Sequence, residues 1–383
     1  MENRQPNLRF PEFSGEWEVE KVGALCDSIV PGRNKPTNFE GNIPWITTPD
    51  IEHNGFITYS KKDLNISREE AKKVGSKIVP INSIIISCVG ELGLSAITGK
   101  EIIINQQLHA FIPKEKIEYR FLLYELNLKK KYMDTVATKT AVPYMNKENC
   151  NSIPINFPTL PEQTKIANFL TEVDKKLTAL KQKKSLLEQY KKGVMQQIFS
   201  QELRFKDDNG NDFADWEEKM LGDCLDYVQP IKYLVSSTEY DNSYKTPVLT
   251  AGKTFILGYT NETVGIFNEN LPVIIFDDFT TATQFVDFSF KAKSSAMKIL
   301  KSKEGFNIKF MYETMQIMKY ELGGHERHWI SKFAPFYILI PSFKEQTKIA
   351  NFLSAMDEKI NHCQGQIEKT QVWKKGLLQQ LFV

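Results

Sequence analysis

The residues whose types and order suit catalysis are Pro49-Asp50 followed by Glu70-Ala71-Lys72. Two carboxylates and a lysine fit the loose pattern of a metal-dependent nuclease, where the acids bind Mg²⁺ and the lysine lies near the attacking water. The pattern is permissive, and Glu70 falls in a charged segment, residues 67–73, that reads as a solvated helix face. His325 and His328 have a spacing that seats a metal, but no third ligand accompanies them. A polar or base-reading loop is the expectation there, and no metal site is assigned. Gly252-Lys253-Thr254 imitates the end of a phosphate loop, yet the first glycine that loop requires falls on Pro247. The Asn/Asp-Pro-Pro-aromatic tetrapeptide of exocyclic-amine methyltransferases is absent, and Phe333-Ala334-Pro335-Phe336 is not one. Lys181, Lys183 and Lys184 read as a solvated helix face. No catalytic residue is assigned.

The elements that must position any site are organised by an internal repeat. Residues 162–199 return as residues 345–382, at a constant offset of 183, without a gap and with 17 of 38 positions identical. Such a repeat dictates architecture. Steps of four and three residues pass through Ile166, Leu170, Val173, Leu177, Leu180, Lys184, Leu187, Lys191, Val194 and Ile198. The second copy gives Ile349, Leu353, Met356, Ile360, Cys363, Ile367, Thr370, Lys374, Leu377 and Leu381. An apolar period of 3.5 residues held this long predicts a coiled-coil seam. Thr159 with Glu162, and Ser342 with Glu345, fit the capping box, in which a hydroxyl and a carboxylate satisfy the first helical N–H groups. Pro161 sits in the first turn, where its missing N–H does no harm.

At about 1.5 Å per residue each copy makes a helix of roughly 57 Å. The short bridge at residues 200–204 is too brief to run back along that length, which takes some 17 extended residues. Homodimerisation through a coiled coil is the alternative, but two matching seams in one chain favour an intramolecular pair, and the short bridge makes that pair antiparallel, a spacer. The repeat also reaches the starts of the units. Leu8-Arg9-Phe10 and Trp17 return as Leu203-Arg204-Phe205 and Trp216, with Gly23 and Gly222 each six residues after the tryptophan. Between these shared features the two bodies have diverged almost completely.

Short β-branched runs separated by Gly, Pro and Asn predict strands at residues 43–47, 55–59, 84–87 and 102–104, and again at 247–250, 254–257, 273–276 and 285–290. Helices are expected at residues 68–74, 119–135 and 308–320, and a strand before each long helix at 152–158 and 335–341. The expected fold class is α+β: two strand-rich domains in a tandem pseudo-repeat, separated by two long antiparallel coiled-coil helices. The boundaries are residues 1–158, helix 159–202, residues 203–341 and helix 342–383.

Composition is ordinary for a soluble globular chain, with 25% charged and 41% hydrophobic residues and a formal net charge of +2. A basic patch must be local if it exists. The five cysteines show no C-x-x-C spacing, which reads as free thiols in a reducing compartment. The polar start and the absence of a long apolar run imply a cytoplasmic protein without a membrane partner.

The duplicated frame, with Glu-Gln-Thr-Lys-Ile-Ala-Asn-Phe-Leu after a proline-containing strand, Lys-Lys-Gly-x-x-Gln-Gln-[Ile/Leu]-Phe at each helix end and Leu-Arg-Phe…Trp at each unit start, resembles the specificity subunit of type I restriction-modification systems. The resemblance spans the chain. It implies that each unit is a target-recognition domain for one half of a bipartite double-stranded DNA site, and that the helices set the interval. It also implies two methyltransferase subunits docked on the helices and restriction subunits (motor and nuclease) joining for cleavage. S-adenosylmethionine and Mg²⁺ belong on that view to partner subunits, none being held by this chain, which is itself not an enzyme.

Base reading needs short donors and acceptors that reach the major groove. In the first unit the candidates are Trp45, Thr47, Thr48, Glu91, Lys139, Thr140 and Tyr144. In the second they are Thr250, Lys253, Thr254, Thr280, Thr281, Thr283, Gln284, His325, Arg327 and His328. Lys139, Lys253 and Arg327 suit phosphate contacts equally. Two other readings remain open from sequence: a self-sufficient nuclease using Asp50, Glu70 and Lys72, and a scaffold that binds proteins only.

Overall fold

The computed structural model describes residues 5–383 apart from 33, 253 and 319–327. The chain divides into two compact units, one of residues up to Lys181 with Gly365–Val383, the other of Gln182–Gln364. The division falls inside both long helices.

Unit 1 opens with β1 (Glu18–Lys21), a single turn α1 (Val22–Leu25) and β2 (Cys26–Ile29). Next come β3 (Ile43–Ile46), β4 (Phe56–Ile57), β5 (Asn65–Ile66) and α2 (Arg68–Lys73). After these lie β6 (Ile84–Ser87), β7 (Ser95–Thr98), β8 (Ile103–Ile104) and β9 (Leu108–Pro113). Helices α3 (Tyr119–Leu128), α4 (Lys130–Val136) and α5 (Lys147–Asn151) lead through β10 (Pro154–Phe157) into α6 (Leu160–Phe199). The main sheet has the order β2-β9-β6-β7-β4, a smaller one β5-β3-β8, and β1 pairs with β10. Ile84, Ile85 and Ile86 are all fully buried, as a β-branched run covered on both faces should be.

Unit 2 repeats this plan with β11 (Glu217–Met220), α7 (Leu221–Cys224), β12 (Leu225–Val228), β13 (Thr246–Leu249), β14 (Ile256–Thr260) and β15 (Val273–Asp277). It continues with β16 (Thr283–Val286), β17 (Lys291–Ala292), β18 (Met297–Ser302), α8 (Ile308–Ile317), β19 (Tyr337–Ile340) and α9 (Phe343–Leu381). Its sheets run β12-β18-β15-β16 and β14-β13-β17, with β11 paired to β19. In both units the smaller sheet contains one parallel pair, β3 with β8 and β13 with β17. Two bodies with unrelated sequences thus share a common strand order, to which unit 1 adds β4 at the edge of its main sheet.

Several expected boundaries moved. The helix expected over 119–135 is two helices, broken at Lys129, whose N–H bonds three residues back to Leu126 O while its ammonium pairs with buried Glu125 at 2.6 Å. The strand expected at 285–290 is β16, which starts at Thr283, and the one expected at 254–257 is β14, which starts at Ile256.

The identical Glu-Gln pair of the repeat has a structural role in each unit. Glu162, 1% exposed, accepts from Arg9 Nε and Nη2, both at 2.8 Å. Glu345, fully buried, accepts from Arg204 Nη2 at 2.9 Å and Trp216 Nε1 at 3.2 Å. Gln163 takes the Glu118 N–H and donates to Lys116 O and Pro158 O, and Gln346 treats Asn307, Gly305 and Pro341 in the same way. The capping-box expectation is corrected here. The Ser342 hydroxyl does accept the Glu345 N–H at 3.4 Å, but both carboxylates turn away from the cap to grip an arginine. A charge-assisted bond to a guanidinium is stronger than one to a neutral N–H, so the arginine wins.

The helices pair antiparallel within each unit. In unit 1 the α6 residues Ile166, Leu170 and Val173 share a core with Leu377, Leu381 and Phe382, and Asp174 meets Lys374 at 2.5 Å. In unit 2 the same repeat positions exchange roles. Ile349, Leu353 and Met356 pack with Val194, Met195 and Ile198, and Asp357 meets Lys191 at 2.7 Å. An aromatic triad packs in each unit, Trp17 with Phe121 and Phe382 in unit 1 and Trp216 with Phe310 and Phe199 in unit 2. Of the remaining seam residues Ile367 is buried, whereas Leu177, Leu180, Leu187 and Ile360 are half-buried.

Candidate nucleic-acid interface

In unit 1 the loops at the ends of β3, β6 and β8 meet. Beyond β3 the chain makes a 3-10 turn, Thr48–Asp50. Asp50 is 6% exposed, and its Oδ2 accepts the Thr47 N–H and hydroxyl at 2.7 Å while Oδ1 accepts the Lys61 N–H at 2.7 Å. Glu70 is also buried, at 7% exposed, rather than lying on the solvated face expected for it. Its Oε1 takes the N–H groups of Thr37 and Asn38, which hold the carboxyl below its ordinary range. Both acids are thus spent on backbone loops, and Lys72 is exposed. The nuclease grouping has no support in this geometry. Among the described residues no cluster of His, Cys, Asp and Glu could hold a metal ion.

The hub of the surface is Gln107, in the turn between β8 and β9. Its carbonyl accepts the Cys88 N–H at 2.8 Å, and its side-chain oxygen accepts the Thr48 hydroxyl at 3.2 Å. Cys88 O in turn accepts the Met145 N–H at 2.9 Å, and the Gly90 N–H donates to Pro143 O at 2.9 Å. Thr48, the 88–93 loop and the 138–144 loop are thereby joined. Gly90 at φ 76° and Gly93 at φ 79° supply the left-handed turns that fold the 88–93 loop back. On this rim Glu91, Lys139, Thr140 and Tyr144 are exposed, Thr48 is half-exposed, and the Thr140 hydroxyl is tied to Val142 O at 2.7 Å. Thr47 is half-exposed too, its hydroxyl held by Asp50. Trp45 is a correction. It is 6% exposed, tilted against Phe39 at 5.5 Å in the core with Ile43, Ile66, Ala71 and Ile103, and not on the exposed rim. In a four-residue strand buried at every position, its large apolar ring is worth more inside than out.

The second unit builds its surface on the same backbone bonds with different side chains. The Asp278 N–H donates to Ala296 O at 3.0 Å, and Asp278 O accepts the His328 N–H at 2.9 Å. These repeat the bonds of Cys88 to Gln107 and Met145. Strand register equates His109 of β9 with Lys298 of β18, since they face Ile86 and Phe276 respectively. Beneath the loop, unit 2 therefore buries an ion pair, Asp278 with Lys298 at 3.3 Å, each 2% exposed. At the matching positions unit 1 buries Cys88 and His109. Burial, helped by the Lys147 charge, pushes His109 down to about 4, so its ring is neutral at pH 7.

Thr250 closes the 250–254 loop through its hydroxyl, which donates to Thr254 O at 2.7 Å, and Thr254 is exposed. Asp277 Oδ1 accepts the N–H groups of Phe279 and Thr280, leaving Thr280 exposed and Thr281 half-exposed at φ 59°. Thr283 Oγ1 accepts from Gln316 at 2.7 Å, and Gln284 is half-exposed on β16. His328, a candidate base reader by sequence, is corrected: it is 1% exposed, inside the fold beside Asp278. Lys253, His325 and Arg327 lie outside the described residues. Sequence reasoning missed Asn105, Gln106 and Gln107. Their signal was three consecutive amides between the apolar run at 102–104 and the mostly apolar run at 108–112, which His109 interrupts.

Two strand-rich bodies with a common strand order, each carrying a loop cluster on the same backbone frame, have counterparts among known proteins. Over residues 14–189 and 214–370 the chain matches the type I restriction modification DNA specificity domain, and it belongs to that family. A stretch of 126 residues is 52% identical to the EcoR124I/EcoR124II specificity subunit of Escherichia coli, covering 32% of this chain and 31% of that protein. The MjaIX specificity subunit of Methanocaldococcus jannaschii is 26% identical over 223 residues, 55% of this chain and 52% of that one. The matched stretches thus span about a third to a half of these relatives. A crystal structure of a type I restriction-modification S subunit from M. genitalium shares the fold, with TM-score 0.69, 16% identity and 99% of both chains covered. Among the described residues no helix is long and apolar enough to cross a membrane.

Proposed function

We propose that this chain is the DNA-specificity subunit of a type I restriction-modification complex, a non-catalytic reader whose units each recognise one half of a bipartite double-stranded target. The observation that carries the reading is the shared bonding of Cys88 and Asp278. One backbone frame presents two loop sets of unrelated chemistry, as expected of a duplicated reader whose copies serve different half-sites. Domains at residues 1–158 and 203–341 are the readers, and the helices at 159–202 and 342–383 hold their interval. Half-sites on one face of B-DNA repeat at about 34 Å per helical turn.

Two methyltransferase subunits are the proposed partners of the helices, with restriction subunits joining them. The repeat supports a pair of equivalent docking sites, because exposed apolar residues recur at matched positions: Leu160 at 44% and Phe343 at 52%, Tyr190 at 60% and Trp373 at 47%. S-adenosylmethionine and Mg²⁺ would be held by those partners, which flip the target adenine from the stack. The test is exchange of the unit 2 body alone in the active complex. One half of the methylated motif should change and the other stay. A complex with no salt-dependent DNA affinity would instead mark a protein-only scaffold.

A further inference from the structure

The turn between β8 and β9 carries amides whose orientation the surrounding bonds determine. Asn105 is 9% exposed, and its Oδ1 accepts the Gln107 backbone N–H at 3.1 Å. An amide whose oxygen accepts from a backbone N–H must present its NH₂ as the other end. Accordingly Asn105 Nδ2 donates to Gln107 Oε1 at 3.2 Å, and the Thr48 hydroxyl donates to the same oxygen at 3.2 Å. Both lone pairs of that oxygen are occupied. Gln107 is exposed, and among the described residues its Nε2 meets no acceptor. The turn itself is rigidly seated, with Ile104 1% and Leu108 0% exposed on either side and the Gln107 carbonyl holding Cys88.

Resting on the DNA-specificity reading above, we propose that Gln107 recognises a guanine in the half-site of unit 1, donating from Nε2 to O6 and N7 in the major groove. A freely turning glutamine reads adenine, accepting from N6 while donating to N7. Gln107 is denied that mode, because its oxygen is already saturated by Thr48 and Asn105. It can only donate. Guanine is the one base that shows two adjacent acceptors and no donor along its major-groove edge, whereas cytosine shows a donor and thymine a single acceptor beside its methyl group. Gln106 is tied the other way, its Nε2 donating to Gly32 O at 3.2 Å. It therefore does not supply the same outward donor.

The test uses the full chain assembled with its cognate methyltransferase, binding duplexes of the mapped target in which each base pair of the unit 1 half-site is replaced in turn. Gln107→Glu keeps the side-chain volume and the oxygen that Thr48 and Asn105 hold, and replaces the outward amine by an acceptor. It should abolish the guanine preference at one position, on the order of tenfold or more, in favour of cytosine or adenine. Gln107→Met should relax that same position without a new preference. Every other position, and the unit 2 half-site, should be unchanged in both variants. An unaltered profile for Gln107→Glu, a unit 1 half-site without guanine, or loss of binding to every duplex by both variants would overturn the proposal. Failure of the underlying reading is distinct: the unsubstituted complex would then discriminate at neither half-site.

Discussion

Arg204→Met should destabilise unit 2 more than removal of its partner does. Glu345 is completely buried, whereas Arg204 retains 22% side-chain exposure. Losing the guanidinium leaves the carboxylate with only Trp216 Nε1 at 3.2 Å, since the Ser342 hydroxyl holds the Glu345 backbone N–H and not the carboxylate. Removing one member of a buried pair and stranding the other charge costs about 3–5 kcal/mol. Glu345→Gln is milder. The amide still offers Trp216 an acceptor, and Arg204 can turn its charge toward water, so about 1–2 kcal/mol is expected. The double variant should cost less than the two singles together by about 1–3 kcal/mol, the coupling of residues in direct contact. Hydrogen exchange of the β11 amides and of the α9 amides up to Gln364 is the assay, with unit 1 amides in the same sample as the reference, because two units need not unfold as one transition. A cost for Arg204→Met no greater than that for Glu345→Gln, or a simply additive double variant, would refute a stranded Glu345 charge.

Unit 1 should lose stability in mild acid through His109. With the folded ring at about 4 and the unfolded one near 6.5, only the unfolded chain takes up the proton between those values. Stability is thus full above about pH 6.5 and falls by up to about 3 kcal/mol as the pH drops toward 4. Urea titrations at several pH values should show this slope, and His109→Phe should remove it. Leu177→Pro, half-buried in the middle of α6, should break the helix at a cost of about 3 kcal/mol or more. Sequence-specific methylation by the assembled complex should vanish with it, and unchanged methylation would deny the helices their spacing role.

The helices were legible because a period of 3.5 residues survives wherever two helices must touch, and Ile166, Leu170, Ile349 and Leu353 are all buried as the pattern demands. The destination of the Glu-Gln pair was not legible. Local rules sent Glu162 and Glu345 to the helix cap, while an arginine about 150 residues away in the chain outcompetes it. The surface was partly readable from polar residues in turns, as at Thr48 and Tyr144. Trp45 and His328 misled because an aromatic or imidazole beside a loop carries no sequence sign of which way it faces. Glu70 misled for the converse reason, since its charged neighbours hide the Thr37 and Asn38 N–H groups that it serves. The 105–107 turn was passed over because amides carry no charge and stand out only once their bonds are seen.

The most direct test of the central claim is a genome-wide map of adenine methylation in cells expressing this chain with its cognate methyltransferase. The map should show one bipartite motif, two short blocks separated by a fixed run of unspecified bases. Replacing the body of unit 1 should rewrite one block and leave the other intact. A single continuous motif, or a unit 1 replacement that alters both blocks, would contradict two independent readers on one frame.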